Sequence, residues 1–327
     1  MRAGGRGTAV AGSMRDAAGD AGGRLEFEVS GVSRDQQSNG AGGPRVSVLM
    51  PVYNREEYVA AAVESILGQT YGDFEFIIVN DGSTDGAKEL LREYAARDER
   101  IVLIEQENTG YTVALNRGLG VARGEFVARM DSDDIALPER LAIQVRYLEE
   151  HDDVVAVSGQ GIEIDEAGDP IRPLPKLETH EEIEATLIGW SSDQRVGMLH
   201  PGVLMRRAAA ERVGGYRPEY EPAEDRDMWL RMAEIGRLAN VPETVVQYRV
   251  HAGGVSRQRA EKQHAAALRG IEAAHARRGL PVPERIELWT LESRMGNELS
   301  GYGVRAVSAA RSGYYRTSWK CVVRLLR

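Results

Sequence analysis

From Val46 onward, short apolar runs alternate with longer amphipathic ones, and this alternation constrains the fold more than any other feature of the chain. The runs VSVLMPV, FEFIIVN, IVLIE, EFVARM and VVAVSG are apolar on both faces and rich in β-branched residues, the pattern of strands covered on both sides. Helical stretches lie between them. Val59, Val63, Ile66 and Leu67 share one face of the first, Leu90, Leu91 and Tyr94 mark the second, residues 113–121 the third, and Pro138 opens the fourth. Strands and helices in succession predict an α/β fold with a mostly parallel, Rossmann-like sheet and helices on both faces. Ligands of such sheets sit at the carboxyl ends of the strands. The loops there are YNREE (53–57), NDGSTD (80–85), ENTGYT (107–112) and DSDD (131–134), all polar.

The flanking stretches read differently. Residues 1–44 hold eleven glycines and no apolar period, so a disordered leader is expected, with Met14 a second candidate start. Two halves follow, 45–150 and 151–255, the second entered through GIEIDEAGDPIRPLP, which reads as a hairpin and linker. Residues 256–327 are expected to form a helical, basic C-terminal extension. Its last 28 residues carry six basic side chains and no acid. With Tyr302, Tyr314, Tyr315 and Trp319 among them, this tail is a candidate for peripheral contact with an anionic membrane surface, or for packing on the rest of the chain.

A net charge of -9 argues against nucleic acid as a partner. Cys321 is the only cysteine, which excludes an intramolecular disulfide and a multi-thiolate zinc site. No apolar stretch approaches the roughly 18–20 residues of a membrane-spanning helix, and no secretory signal opens the chain. The expectation is a cytoplasmic protein, peripheral at the inner face of the membrane if the tail binds there.

Asp131 and Asp133, at i and i+2 after a strand, would project the same way from an extended segment and could approach a hard divalent ion such as Mg²⁺ or Mn²⁺ together. A solvated acidic turn, with Asp134 near a helix start, is the alternative. Asp225 and Asp227 share the spacing, so position carries the argument. In NDGSTD, Asp81 ends a strand, Gly82 permits a tight turn, and Ser83 or Thr84 can cap the next helix. A carboxylate there can accept a ring N–H from a nucleotide base, and Tyr53, just after Pro51, can lie against the base. Glu224 and Asp225 precede an amphipathic run and also suit a helix N-terminus.

The strings VSVLMPVYN, IIVNDGSTD, NTGYTVALNRGL, ARMDSDDIALPERL, HPGVLMRR and EDRDMWLRM, in this order, resemble the family 2 glycosyltransferases with the GT-A fold over roughly residues 45–255. The resemblance implies roles residue by residue. Pro51, Tyr53 and Asp81 would hold the base, Asp131 would lie near the ribose, and Asp133 would bind a divalent metal on the diphosphate. His251, in YRVHAGGVS, would reach the metal or the diphosphate, unless it is a structural histidine. Glu224 and Asp225 would supply the catalytic base, with Asp225 preferred, and His200 would shape the acceptor side. Asn108 and Gly110 fall in an NxGxxxAxN-like segment at the donor, which ends at Asn116 and carries Leu115 where many relatives have a basic or polar residue. The implied activity is inverting transfer of a sugar from a nucleotide-diphosphate donor, UDP-linked first, to a hydroxyl of a saccharide or lipid-linked acceptor in polysaccharide, glycolipid or glycoconjugate biosynthesis. A non-catalytic nucleotide-sugar binder and a glycoside hydrolase are the rival classes.

Overall fold

The computed structural model describes residues 43–174, 176–189, 197–254, 259–282, 309–310 and 312–314. All but the last two residues of the expected leader, and most of the basic tail, lie outside the described residues.

The five apolar runs form strands: β1 (Val46–Val52), β2 (Phe74–Asp81), β3 (Ile101–Gln106), β4 (Phe126–Arg129) and the first part of β6 (Val154–Ile164). Every residue of β1 and β2 is buried, as strands with both faces covered require. The two sides alternate as the pleat dictates. Val46, Val48, Met50, Phe76 and Ile78 pack against α1 (Val59–Leu67), α2 (Ala87–Arg97) and α4 (Arg140–Glu150). Leu49, Ile77 and Val79 face α3 (Tyr111–Val121), α6 (Arg207–Arg212) and α7 (Glu224–Met232). A core therefore lies on each face of the sheet, and α/β with helices on both faces holds.

β5 (Ile135–Ala136), β7 (Pro170–Leu174), β8 (Leu204–Arg206) and β9 (Arg237–Arg249) complete a nine-stranded sheet in the order β3-β2-β1-β4-β8-β6-β9-β5, with β7 paired to β6. β8 runs antiparallel between β4 and β6, and β9 lies parallel to β6 along its whole length. The expected hairpin is β6–β7. Strands from 45–150 and from 151–255 thus share one sheet. α5 (His180–Leu187) and α8 (Ala260–Arg278) lie on the α7 side, and α8 makes up most of the described part of the C-terminal extension. No described helix is long and apolar enough to cross a membrane.

Two side chains of α4 are buried for a purpose that periodicity does not announce. Arg140 donates from Nη2 to the carbonyls of Arg129 (2.6 Å) and Val203 (3.1 Å), and Gln144, one turn on, donates to the Gly202 carbonyl (2.7 Å). They clamp the end of β4 to the entry of β8, beneath the loops that carry the acids.

Candidate active site

The loop after β2 is built around Asp81. Its Oδ1 accepts from Gln106 Nε2 (2.7 Å) and the Thr109 amide (2.9 Å), and Oδ2 accepts from the Gly110 amide (3.0 Å). The carboxylate thereby holds the 106–110 loop in place, and one lone pair of Oδ2 stays available to a ligand. Gly82 has φ 72°, and a Cβ there would stand 2.6 Å from the Asn108 amide nitrogen, so no other residue fits this approach of two loops. Neither Ser83 nor Thr84 caps α2, contrary to expectation. Ser83 Oγ accepts from the Asn54 amide, and Asp85 and Glu56 accept from the free amides of Ala87 and Gly86, because the turn carries 83 and 84 back toward the first loop before α2 begins.

The acidic segment is a turn and not an extended strand, since β4 stops at Arg129. The turn nonetheless brings three acids together: one ligand oxygen each from Asp131, Asp133 and Asp134 lies within 4.8 Å of the others. Asp131 accepts from the Arg129 guanidinium and from Tyr111 OH (3.2 Å). Asp133 Oδ2 accepts from Arg55 Nε (3.1 Å) and lies 3.0 Å from His251 Nε2. Burial raises the Asp133 pKa, but the His251 bond and the Arg55 charge outweigh it and leave the group below its ordinary value. Asp134 does not start a helix; its Oδ1 accepts from the Arg249 amide (2.7 Å) in the pairing of β5 with β9. Its Oδ2 is buried with no partner, and burial, then Asp133 and Asp131, push its pKa well up. That pairing also delivers His251, just past β9, to Asp133. Hard carboxylate oxygens, one of them orphaned, beside an imidazole fit a divalent cation of the Mg²⁺ or Mn²⁺ type.

The second acidic pair occupies the first turn of α7. The helix-terminus reading is met, and that turn also faces the same cavity as the Asp cluster. Glu224 is buried; desolvation first, and Asp225 second, raise its pKa to about 8, and its Oε2 has no partner. Asp225 is partly exposed, and burial raises its pKa against the pull of Arg226 and Arg129. Asp227, two residues on, points the other way into a buried ion pair with Arg231 (2.7 Å).

A cavity of about 800 Å³ joins these parts. Pro51, Tyr53, Asp81, Asn108, Gly110, Asp131, Asp133, Glu224, Asp225 and His251 all line it, which is every residue singled out for the base, ribose, metal and catalysis. Tyr53 stands 45% exposed at its rim, free to meet a flat ligand. His200 also lines it, buried, its Nε2 3.1 Å from Tyr216 OH and its pKa held well down by desolvation. Asn116 does not reach the cavity; it grips the Tyr216 backbone in both directions (2.6 and 2.9 Å), and Leu115 is buried in the core, where a basic side chain would have no partner. Sequence reasoning missed Arg55, Tyr111, Arg129, Trp229 and Arg249 as lining residues, together with Arg259, Gln263 and His264 around the start of α8. A charged residue inside an apolar strand, as Arg129 is, was the available signal.

The family model described as glycosyl transferase family 2 matches residues 47–214. An uncharacterized glycosyltransferase of Haemophilus influenzae is 34% identical over 236 residues, 65% of this chain and 68% of that protein. The O-antigen biosynthesis glycosyltransferase WbnJ of Escherichia coli is 33% identical over 63% of this chain and 80% of its own. Among solved structures, S. aureus TarS 1-349 in complex with UDP superposes with a TM-score of 0.52 at 19% identity, covering 81% of this chain and 72% of that one. The mannosyltransferase PcManGT of Pyrobaculum calidifontis, in complex with GDP-Man and Mn²⁺, gives 0.51 at 20% identity, over 88% of each chain. These likenesses identify the fold as GT-A. A match of that extent, with relatives of that identity, means that the chain belongs to glycosyl transferase family 2 and is a glycosyltransferase.

Proposed function

We propose that this glycosyltransferase moves a sugar, with inversion, from a nucleotide-diphosphate donor to an acceptor hydroxyl in the assembly of a surface polysaccharide or related glycoconjugate. The observation that carries the reading is a single cavity with the Asp131–Asp134 cluster in one wall and the Glu224–Asp225 pair in another. Asp133 and His251 would hold a divalent ion, with Asp131 and Asp134 beside them; the ion would stabilise charge on the departing diphosphate. Asp81 and Tyr53 would take the base, the first through its remaining lone pair, the second by its exposed ring. Asp225, partly exposed and with a raised pKa, would remove the acceptor proton as the hydroxyl attacks from the face opposite the leaving group. UDP is the first choice of nucleotide, supported by the complex of TarS with UDP; the complex of PcManGT with GDP-Man makes GDP the competing choice. The role of WbnJ in O-antigen biosynthesis supports the polysaccharide setting.

A thermal-shift panel of UDP, GDP, dTDP and CMP compounds, each with and without Mn²⁺, tests donor class and metal together. One nucleotide series should stabilise the chain, and more so with Mn²⁺. Asp225→Asn should retain that stabilisation while transfer falls by about 10²–10⁴-fold. Unchanged transfer would remove Asp225 from the base role, and stabilisation by none of the nucleotides would remove the donor reading.

A further inference from the structure

Asp81 belongs to a chain of hydrogen bonds that continues away from the cavity, and the reading above makes no use of its far members. Asp81 and Gln106 are register partners at the carboxyl ends of β2 and β3. Asp81 extends the row of Ile77 and Val79, whose side chains face α3, so a residue of that helix can reach over both strand ends. Arg117 does so: its Nη1 donates to Gln106 Oε1 (3.0 Å). Gln106 Nε2 in turn donates to Asp81 Oδ1 and to Thr109 Oγ1, each at 2.7 Å. Of Arg117, Gln106 and Asp81, only Asp81 lines the cavity.

The order of donors and acceptors along this chain has one solution. A guanidinium only donates, so the Gln106 atom beside it must be the oxygen, and the nitrogen is turned to Asp81. Both N–H bonds of that nitrogen are then committed, one to the carboxylate and one to the Thr109 hydroxyl. Without Arg117 the amide could turn over and set its oxygen against Asp81 Oδ1, acceptor to acceptor. As it stands, Oδ1 is filled by Gln106 and the Thr109 amide, Oδ2 takes the Gly110 amide, and the acceptor capacity left on Oδ2 is what Asp81 offers a ligand. A fixed acceptor discriminates by what is put opposite it. Uracil and guanine carry a ring N–H beside a carbonyl, whereas cytosine and adenine carry a bare ring nitrogen at that place and would leave two acceptors opposed.

We infer that Arg117 and Gln106 are positioning residues for Asp81: through them α3 holds the carboxylate as a fixed acceptor and sets a preference for nucleotides whose base carries a ring N–H. The inference rests on the donor reading, in which Asp81 meets the base, and one experiment separates the two. Affinities for UDP against CDP, and for GDP against ADP, are measured calorimetrically with Mn²⁺ on the full chain and its variants, and thermal unfolding verifies that each variant is folded. In the pair that the parent discriminates, the preference should shrink about tenfold in Arg117→Met and in Gln106→Leu. It should persist in Arg117→Lys, which still donates to Gln106. A preference undiminished in Arg117→Met and Gln106→Leu, an equal weakening of both members of the pair, or a loss in Arg117→Lys as large as in Arg117→Met refutes the positioning role while the donor reading stands. A parent that binds all four nucleotides equally refutes Asp81 as the reader of a ring N–H, and the positioning role with it. A parent that binds none of them refutes the donor reading as well.

Discussion

At the scale of single residues, position along a strand made the site readable. Asp81, Asp131 and Asp133 are acids at strand ends, where an α/β sheet gathers its ligands, and each lines the cavity. Glu224 shows a consequence that sequence could not supply, because it depends on burial. Its ordinary pKa is 4.5, and the folded chain raises it to about 8, so between these values the native state holds a proton that the unfolded chain has released. The stability this group contributes is complete below 4.5 and is lost as pH rises through about 8. Glu224→Gln cannot ionise and should gain on the parent by about 2–4 kcal/mol between roughly pH 5 and pH 9. Thermal unfolding at both ends of that range measures it, and a gap independent of pH would mean that Glu224 is not a buried acid. Arg129 escaped notice for the reverse reason: its neighbours are apolar, and the Asp131 and Tyr111 contacts that accommodate it come from a turn and a helix that sequence does not place.

At the scale of elements, strands covered on both faces were legible and the rest were not. β1 and β2 read as unbroken apolar runs because helices pack on both sides. β9 contains Pro242, Glu243 and a register shift against β6, and β8 is three residues long, so neither carries a period that could be counted. α4 was legible as an amphipathic helix, but its buried Arg140 was not. Arg140→Met would leave the Arg129 carbonyl without this donor and should cost about 2–4 kcal/mol, read as a lower denaturant midpoint at unchanged slope. A loss within about 0.5 kcal/mol would show that the clamp is dispensable.

At the scale of the whole molecule, Asp133 and His251 meet across 118 residues of chain, one from the turn after β4 and the other from the end of β9. A divalent ion held there would bind only the native arrangement. Mn²⁺ at about a hundredfold excess over its Kd should therefore add about 2.7 kcal/mol of stability, visible as a higher Tm, and Asp133→Ala should abolish the gain. An equal Mn²⁺ effect in parent and variant would move the ion elsewhere. The antiparallel β8 has a related bearing. By bridging β4 to β6, it seals an edge that the first four strands would otherwise present to solvent, with its unpaired amides and carbonyls open to any passing chain. The first half is thus no transplantable cassette: cut after residue 150, it would keep its strand-end loops but become a seed of aggregation.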